Sequence, residues 1–263
     1  VGKRIGFGKE PMKPHNLTLT MLGAALLWVG WYGFNVGSLV FSDEIETSTQ
    51  FLNETGLTFA NTTLATMAAI LGWLAVERLL HGKATSLGAA SGIVAGLVAI
   101  TPAAGAVDIW GALAIGAVAG AVCAWAVGLK FKFGLDDSLD VVGVHLVGGI
   151  IGTVMIGLFS TVAAADSGVA GGAVDGLFYG GGFGSLADQV LGVLVAIAWS
   201  GVATALIALV IKYTIGWRLS EEDEIEGIDF VAHGESAYDL HTSGGSTGVL
   251  AASTAQVKEG AQA

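Results

Sequence analysis

The placement of the basic residues constrains this chain more than any other feature. They are Lys3, Arg4, Lys9, Lys13, Arg78, Lys83, Lys130, Lys132, Lys212, Arg218 and Lys258. Once the hydrophobic stretches are read as spans, every one falls before the first span, in or at the edge of each second loop, or at or after the end of the last span. The intervening loops hold only acids: Asp43, Glu44, Glu46 and Glu54, then Asp108, then Asp166 and Asp175. Basic loops resist translocation, so the side that keeps them is the cytoplasmic one. Chance does not sort eleven charges over alternate loops. The pattern predicts a polytopic, all-α membrane helix bundle in a cell membrane, with its C-terminus in the cytoplasm.

Composition agrees. Hydrophobic residues make up 53% of the chain, charged residues only 13%, and the mean hydropathy is +0.72. A soluble domain of this length needs more charge to cover its surface. The net charge of −11 argues against a nucleic-acid partner. The single Cys123 excludes an internal disulfide. No zinc or iron–sulfur ligand spacing, no cofactor motif and no nucleophile–base pair is present, so an enzyme reading has little support. An intramembrane aspartyl protease needs a second intramembrane Asp, which the sequence lacks. The opening Val1-Gly2-Lys3-Arg4 reads as the exit from an earlier helix, as in the later part of a longer protein.

Six spans are predicted, over roughly 17–40, 59–80, 87–100, 110–129, 141–161 and 190–213, each set against a hydrocarbon core about 30 Å thick. Residues 163–188 read as a Gly/Ala-rich outer loop. Residues 1–216 form the membrane domain. Residues 217–263 form a polar cytoplasmic tail, disordered beyond about 242 on composition. Many glycines are spaced by four: Gly33 and Gly37, Gly88, Gly92 and Gly96, Gly116 and Gly120, Gly148 and Gly152. Such spacing lets helix backbones approach closely in lipid, where packing replaces the hydrophobic drive.

Few residues carry chemistry. His145 lies a few residues inside the fifth span and is read as the only ionisable side chain well inside any span. An ionisable group at that depth marks function unless it merely hydrogen-bonds a neighbouring helix. Burial among Val and Gly is expected to keep its ring neutral. A neutral imidazole both donates and accepts, so it can hold a small polar molecule or pass a proton. Asp136 and Asp137 are expected to cap the following helix. Asp140, nearer the bilayer, either caps too or fixes helix packing. Trp31, Phe34 and Ser38 sit toward the outer end of the first span. They suit a vestibule for a small cation, or equally an interfacial aromatic belt. In the tail, Ser220 and Asp223 match a capping box, with Gly227 as the stop.

These segments resemble a known family. Lys13-Pro-His-Asn-Leu, Trp28-Val-Gly-Trp-Tyr-Gly-Phe-Asn-Val-Gly-Ser38, the stretch Leu87 to Pro102, Asp136-Asp-Ser-Leu-Asp-Val-Val-Gly-Val-His145, and Glu224-Ile-Glu-Gly-Ile-Asp229 with His233-Gly-Glu-Ser-Ala-Tyr238 are similar to the ammonium transporter (Amt/Mep/Rh) family, in its microbial or plant Amt branch. The resemblance runs to about residue 240. It implies the second half of an eleven-span fold plus its last helix and tail. It also implies a homotrimer with a pore in each subunit. By resemblance His145 is one of two pore histidines and Phe34 one of two gate phenylalanines. Ser38 belongs to the outer recruitment site, with Trp31 beside the pore. Glu224, Gly227, Asp229, His233 and Tyr238 belong to the regulatory tail, near a docking surface for P-II-type signalling proteins. The implied substrate is ammonium or ammonia, with methylammonium as analogue. The implied activity is recruitment of the cation, deprotonation, and passage of neutral ammonia along His145 in nitrogen uptake. The alternative is an ammonium sensor with little flux.

Overall fold

A computed structural model describes residues 2–10, 12–39, 48–162 and 174–235. The described residues are helices and turns, with one isolated antiparallel bridge between Val107 and Ser160. Five helices are long and apolar enough to cross a membrane. Residues from Gly2 to Tyr213 form one unit, and the segment from Thr214 onward forms another.

Helix α1 (Leu17–Asn35) starts at Asn16, whose Oδ1 accepts the Leu19 N–H at 2.9 Å. Helix α2 (Ser48–His81) has 34 residues, about 51 Å at 1.5 Å per residue. That exceeds the hydrocarbon core by several turns, which is why α2 begins well before the predicted span. Glu54, read from sequence as a loop acid, lies in α2 and is buried. It is a buried acid in the part of α2 that precedes the predicted span.

Helices α2, α3 (Ser86–Ile100) and α4 (Ile109–Ala126) form the centre of the unit. A Cβ added at Gly116 would lie 2.0 Å from the Ala65 carbonyl oxygen, and one at Gly120 2.0 Å from that of Ala69. Backbone therefore meets backbone along the α2–α4 seam. Gly96 faces the Thr66 Cα in the same way. Gly33 has open space around it, so its four-residue spacing to Gly37 builds no helix contact among the described residues.

Helix α3 is the exception to the span plan. Its 15 residues cover about 22 Å, too short to cross as a helix. The chain continues as tight turns through Thr101–Ala106. Ala103 and Ala104 in this stretch and Val107 just after it are buried. Non-helical backbone at membrane depth needs protein partners for its polar groups. Asn61 of α2 supplies them, donating Nδ2 to the carbonyls of Ala104 at 2.8 Å and Val107 at 2.7 Å.

Short α5 (Leu129–Phe133) ends at Gly134 in the left-handed conformation. A π-helical turn, Val142–Leu146, then runs directly into α6 (Val147–Phe159). On the far side a single 3-10 turn, Leu177–Tyr179, is pinned down. Phe178 stacks edge-on against Phe159, and the Tyr179 hydroxyl donates to Asp108, the cap of α4, at 2.7 Å. That bond to a carboxylate pushes the Tyr179 phenol up to about 12. Helix α7 (Gly184–Thr214) buries no residue.

In the second unit, α8 (Glu221–Glu226) is capped by Ser220, whose Oγ accepts the Asp223 N–H at 3.1 Å. Its acidic first turn meets the positive end of the helix dipole. Gly227, at φ 111°, ends it, and a π-helical turn Asp229–His233 follows. Arg218 pairs with Glu224 at 3.5 Å.

Candidate functional site

His145 sits inside the π-helical turn. The Val147 N–H reaches back five residues to the Val142 carbonyl, which widens the helix at the His145 level. Such turns are uncommon and cluster at functional sites. The faces of the turn differ sharply. Gly143 and Val144 are buried, while the His145 ring is exposed. This corrects the expectation of a ring buried among Val and Gly: within this chain Gly143 and Val144 are covered, while Val142 and the imidazole are not. It opens on a groove of ≈ 350 Å³ between α6 and α7, which also touches Gly149, Thr153, Gly192, Ala196 and Ser200. The two glycines leave the groove wide, and the two hydroxyls are its other polar side chains.

The first turn of that segment is held by carboxylates. Asp137 accepts the Val141 N–H at 2.9 Å and the Val142 N–H at 2.7 Å, one with each oxygen, so it caps the helix as expected. Asp136 does not. It takes the backbone N–H of Arg4 at 2.6 Å and forms an ion pair with the Arg4 guanidinium. Asp140 adopts φ 58°, the only positive φ outside glycine among the described residues. Its carboxylate pairs with the Lys130 ammonium at 2.5 Å, and Lys130 also donates to the Asp137 carbonyl at 2.9 Å. Burial raises the Asp140 carboxyl above its ordinary value, against the lowering effect of Lys130, while the neighbouring Asp137 charge adds to the rise.

Trp31, Phe34 and Ser38 are brought together. Trp31 and Phe34 meet edge-to-face at 5.5 Å. The Ser38 hydroxyl donates to the Phe34 carbonyl, one turn back. That spends its proton and leaves oxygen lone pairs to accept from a cation. Phe34 remains 58% exposed. Trp31 is half-buried, and its indole N–H donates to Thr101 Oγ1 at 2.8 Å. A belt Trp directs that N–H to the interface, so the internal bond favours a structural anchor beside Phe34. Neither Phe34 nor Ser38 lines the His145 groove.

Three contributors escaped the sequence reading. Lys130 precedes Asp140 by ten residues, a spacing with no local signature. Asn61 carried a signal, as a carboxamide in an apolar stretch. Asn35, buried on α1, donates to Thr62 Oγ1 at 3.0 Å. In the tail, Glu224, Gly227, Asp229 and His233 occupy the short helix and the turn after it. Tyr238 lies outside the described residues.

The sequence model described as Ammonium Transporter Family matches residues 1–238. An ammonium transporter of Mycobacterium tuberculosis (strain H37Rv) is 55% identical over 247 residues, covering 94% of this chain and 50% of that protein. One from Bacillus subtilis (strain 168) is 42% identical, covering 86% of this chain and 52% of that protein. The chain spans about half the length of the curated relatives it matches. Among solved structures, Candida albicans Mep2 superposes with a TM-score of 0.72 at 33% identity, over 91% of this chain and 52% of that one. A structure titled Sensor Amt Protein superposes with a TM-score of 0.73 at 30% identity, over 89% and 55%.

Proposed function

The chain belongs to the ammonium transporter family, and from that premise we propose that it forms one half of a pore conducting ammonium nitrogen across a cell membrane. The relatives are named as transporters, not as enzymes. The observation that carries the proposal is the exposed His145 ring in a π-helical turn of an apolar span, opening on a groove.

A bare cation in a narrow apolar passage is strongly penalised. Ammonium escapes the penalty by giving up a proton, and potassium cannot. In the proposed sequence, Phe34 and Ser38 attract the cation through a ring face and hydroxyl lone pairs. Phe34 controls admission, with Trp31 fixed by Thr101 behind it. The cation sheds its proton, and neutral ammonia passes His145, whose ring both donates to it and accepts from it. Substrate, homotrimeric assembly, the cytoplasmic placement of both ends, and docking of a P-II-type regulator on the tail belong to this proposal.

A second reading, a sensor with little flux, draws on the likeness to the structure titled Sensor Amt Protein. Flux separates the two. Full-length protein in proteoliposomes is expected to take up labelled methylammonium in proportion to protein added, and Phe34→Ala is expected to change the rate. Binding of methylammonium with no uptake above empty vesicles overturns the transporter reading in favour of the sensor.

A further inference from the structure

The structure shows how the His145 ring is aimed, and by what. The start of the ring's own segment is held by Asp137 and, from α5, by Lys130. Asp137 takes both leading N–H groups of the segment. Lys130 clamps the Asp137 carbonyl and the Asp140 carboxylate together. Asp140 takes the left-handed backbone between them, and its carbonyl accepts the Val144 N–H at 2.8 Å. That bond starts the turn, and the wide Val147 to Val142 bond follows. From behind, Cys123 Sγ lies 3.9 Å from the Val144 carbonyl. A Cβ on Gly143 would sit 2.9 Å from the Val127 Cα, so the turn cannot rotate toward α4.

A π-helical turn carries one residue more than the α-helix it interrupts, which turns the side chains within it away from ordinary helical register. A left-handed residue other than glycine is costly and persists only where its surroundings hold it. We propose that Lys130 and Asp140 are positioning residues for His145: their ion pair holds the left-handed backbone at Asp140, and through it the wide turn that sets where the ring points. This rests on the reading of His145 as a pore residue. It adds that the ring's aim is set from upstream, by a pair at Lys130 and Asp140 that lines no part of the groove beside the ring.

Asp140→Asn is the informative change. Asn tolerates the left-handed backbone but cannot pair with Lys130 as an ion. Two readouts on the full-length protein test the claim. The first is thiol labelling, in membranes, of a His145→Cys variant with and without Asp140→Asn, with Phe34→Cys as the control. Labelling at position 145 is expected to change about tenfold and at position 34 not at all. The second is methylammonium uptake against concentration. Asp140→Asn is expected to lower the maximal rate about tenfold at an unchanged KM, since recruitment at Ser38 and Phe34 is untouched. Asp140→Gly, which keeps the backbone without the carboxylate, is expected to match it. Lys130→Arg is expected to restore most of what Lys130→Met loses. Equal labelling of position 145 in both backgrounds, or an unchanged maximal rate in Asp140→Asn, overturns the proposal. Uptake by His145→Ala equal to that of the parent overturns the pore reading instead, and leaves the labelling result to stand or fall alone.

Discussion

Asn61 shows what a single side chain does at membrane depth. It holds two carbonyls of a buried, non-helical stretch that water cannot reach. Asn61→Leu keeps the volume and removes the donor, so both carbonyls lose their partner. A loss of about 1–3 kcal/mol is expected, read as a lower melting temperature in detergent. An unchanged melting temperature contradicts this role. The Lys130–Asp140 pair predicts an asymmetry. Its side chains are only 17% and 32% exposed. Removing one partner of such a pair leaves a poorly solvated charge, and removing both does not. Lys130→Met is therefore expected to destabilise the protein more than Lys130→Met with Asp140→Asn. His145 was legible in the sequence because an imidazole in a Val- and Gly-rich span has no bland composition to hide in. Lys130 and the work of Asn61 were not, since their partners are fixed by tertiary approach; those of Asn61 lie 43 and 46 residues away.

At the scale of helices, the glycines divide into two classes that spacing alone could not separate. Gly116 and Gly120 meet the α2 backbone, while Gly33 and Gly56 face open space. Gly116→Ala is expected to cost about 2 kcal/mol or more through overpacking of the α2–α4 seam. Gly56→Ala, exposed on the same α2, is expected to be neutral or mildly stabilising, because Ala is the better helix former. Equal melting temperatures for the two variants would remove the seam from the account. The same scale explains the misjudged span ends. Hydropathy marks where a segment is apolar, not where its hydrogen-bonded turns stop. So α2 and α7 overrun their predicted ends, α1 stops at Asn35 short of its predicted end, and the π-helical turn, apolar like the span around it, had no signature of its own.

For the molecule as a whole, the alternating charges carried the architecture. They fixed a polytopic helical chain before any helix was seen, because loop charge reflects translocation and not packing. What they could not carry is the surface that the spans present. Helices α1 and α7 are largely exposed within this chain, and a half-pore of the proposed kind needs a facing wall. The tail offers a separate test. Truncation from Leu219 removes α8 and the turn after it and is expected to lower or deregulate uptake. A fully active, normally regulated truncation contradicts a regulatory tail. The most direct test of the whole account remains uptake of labelled methylammonium by proteoliposomes of full-length protein carrying His145→Ala, with potassium leak followed in parallel. The account predicts that uptake is lost or that discrimination against potassium collapses; parental uptake with parental discrimination would contradict it.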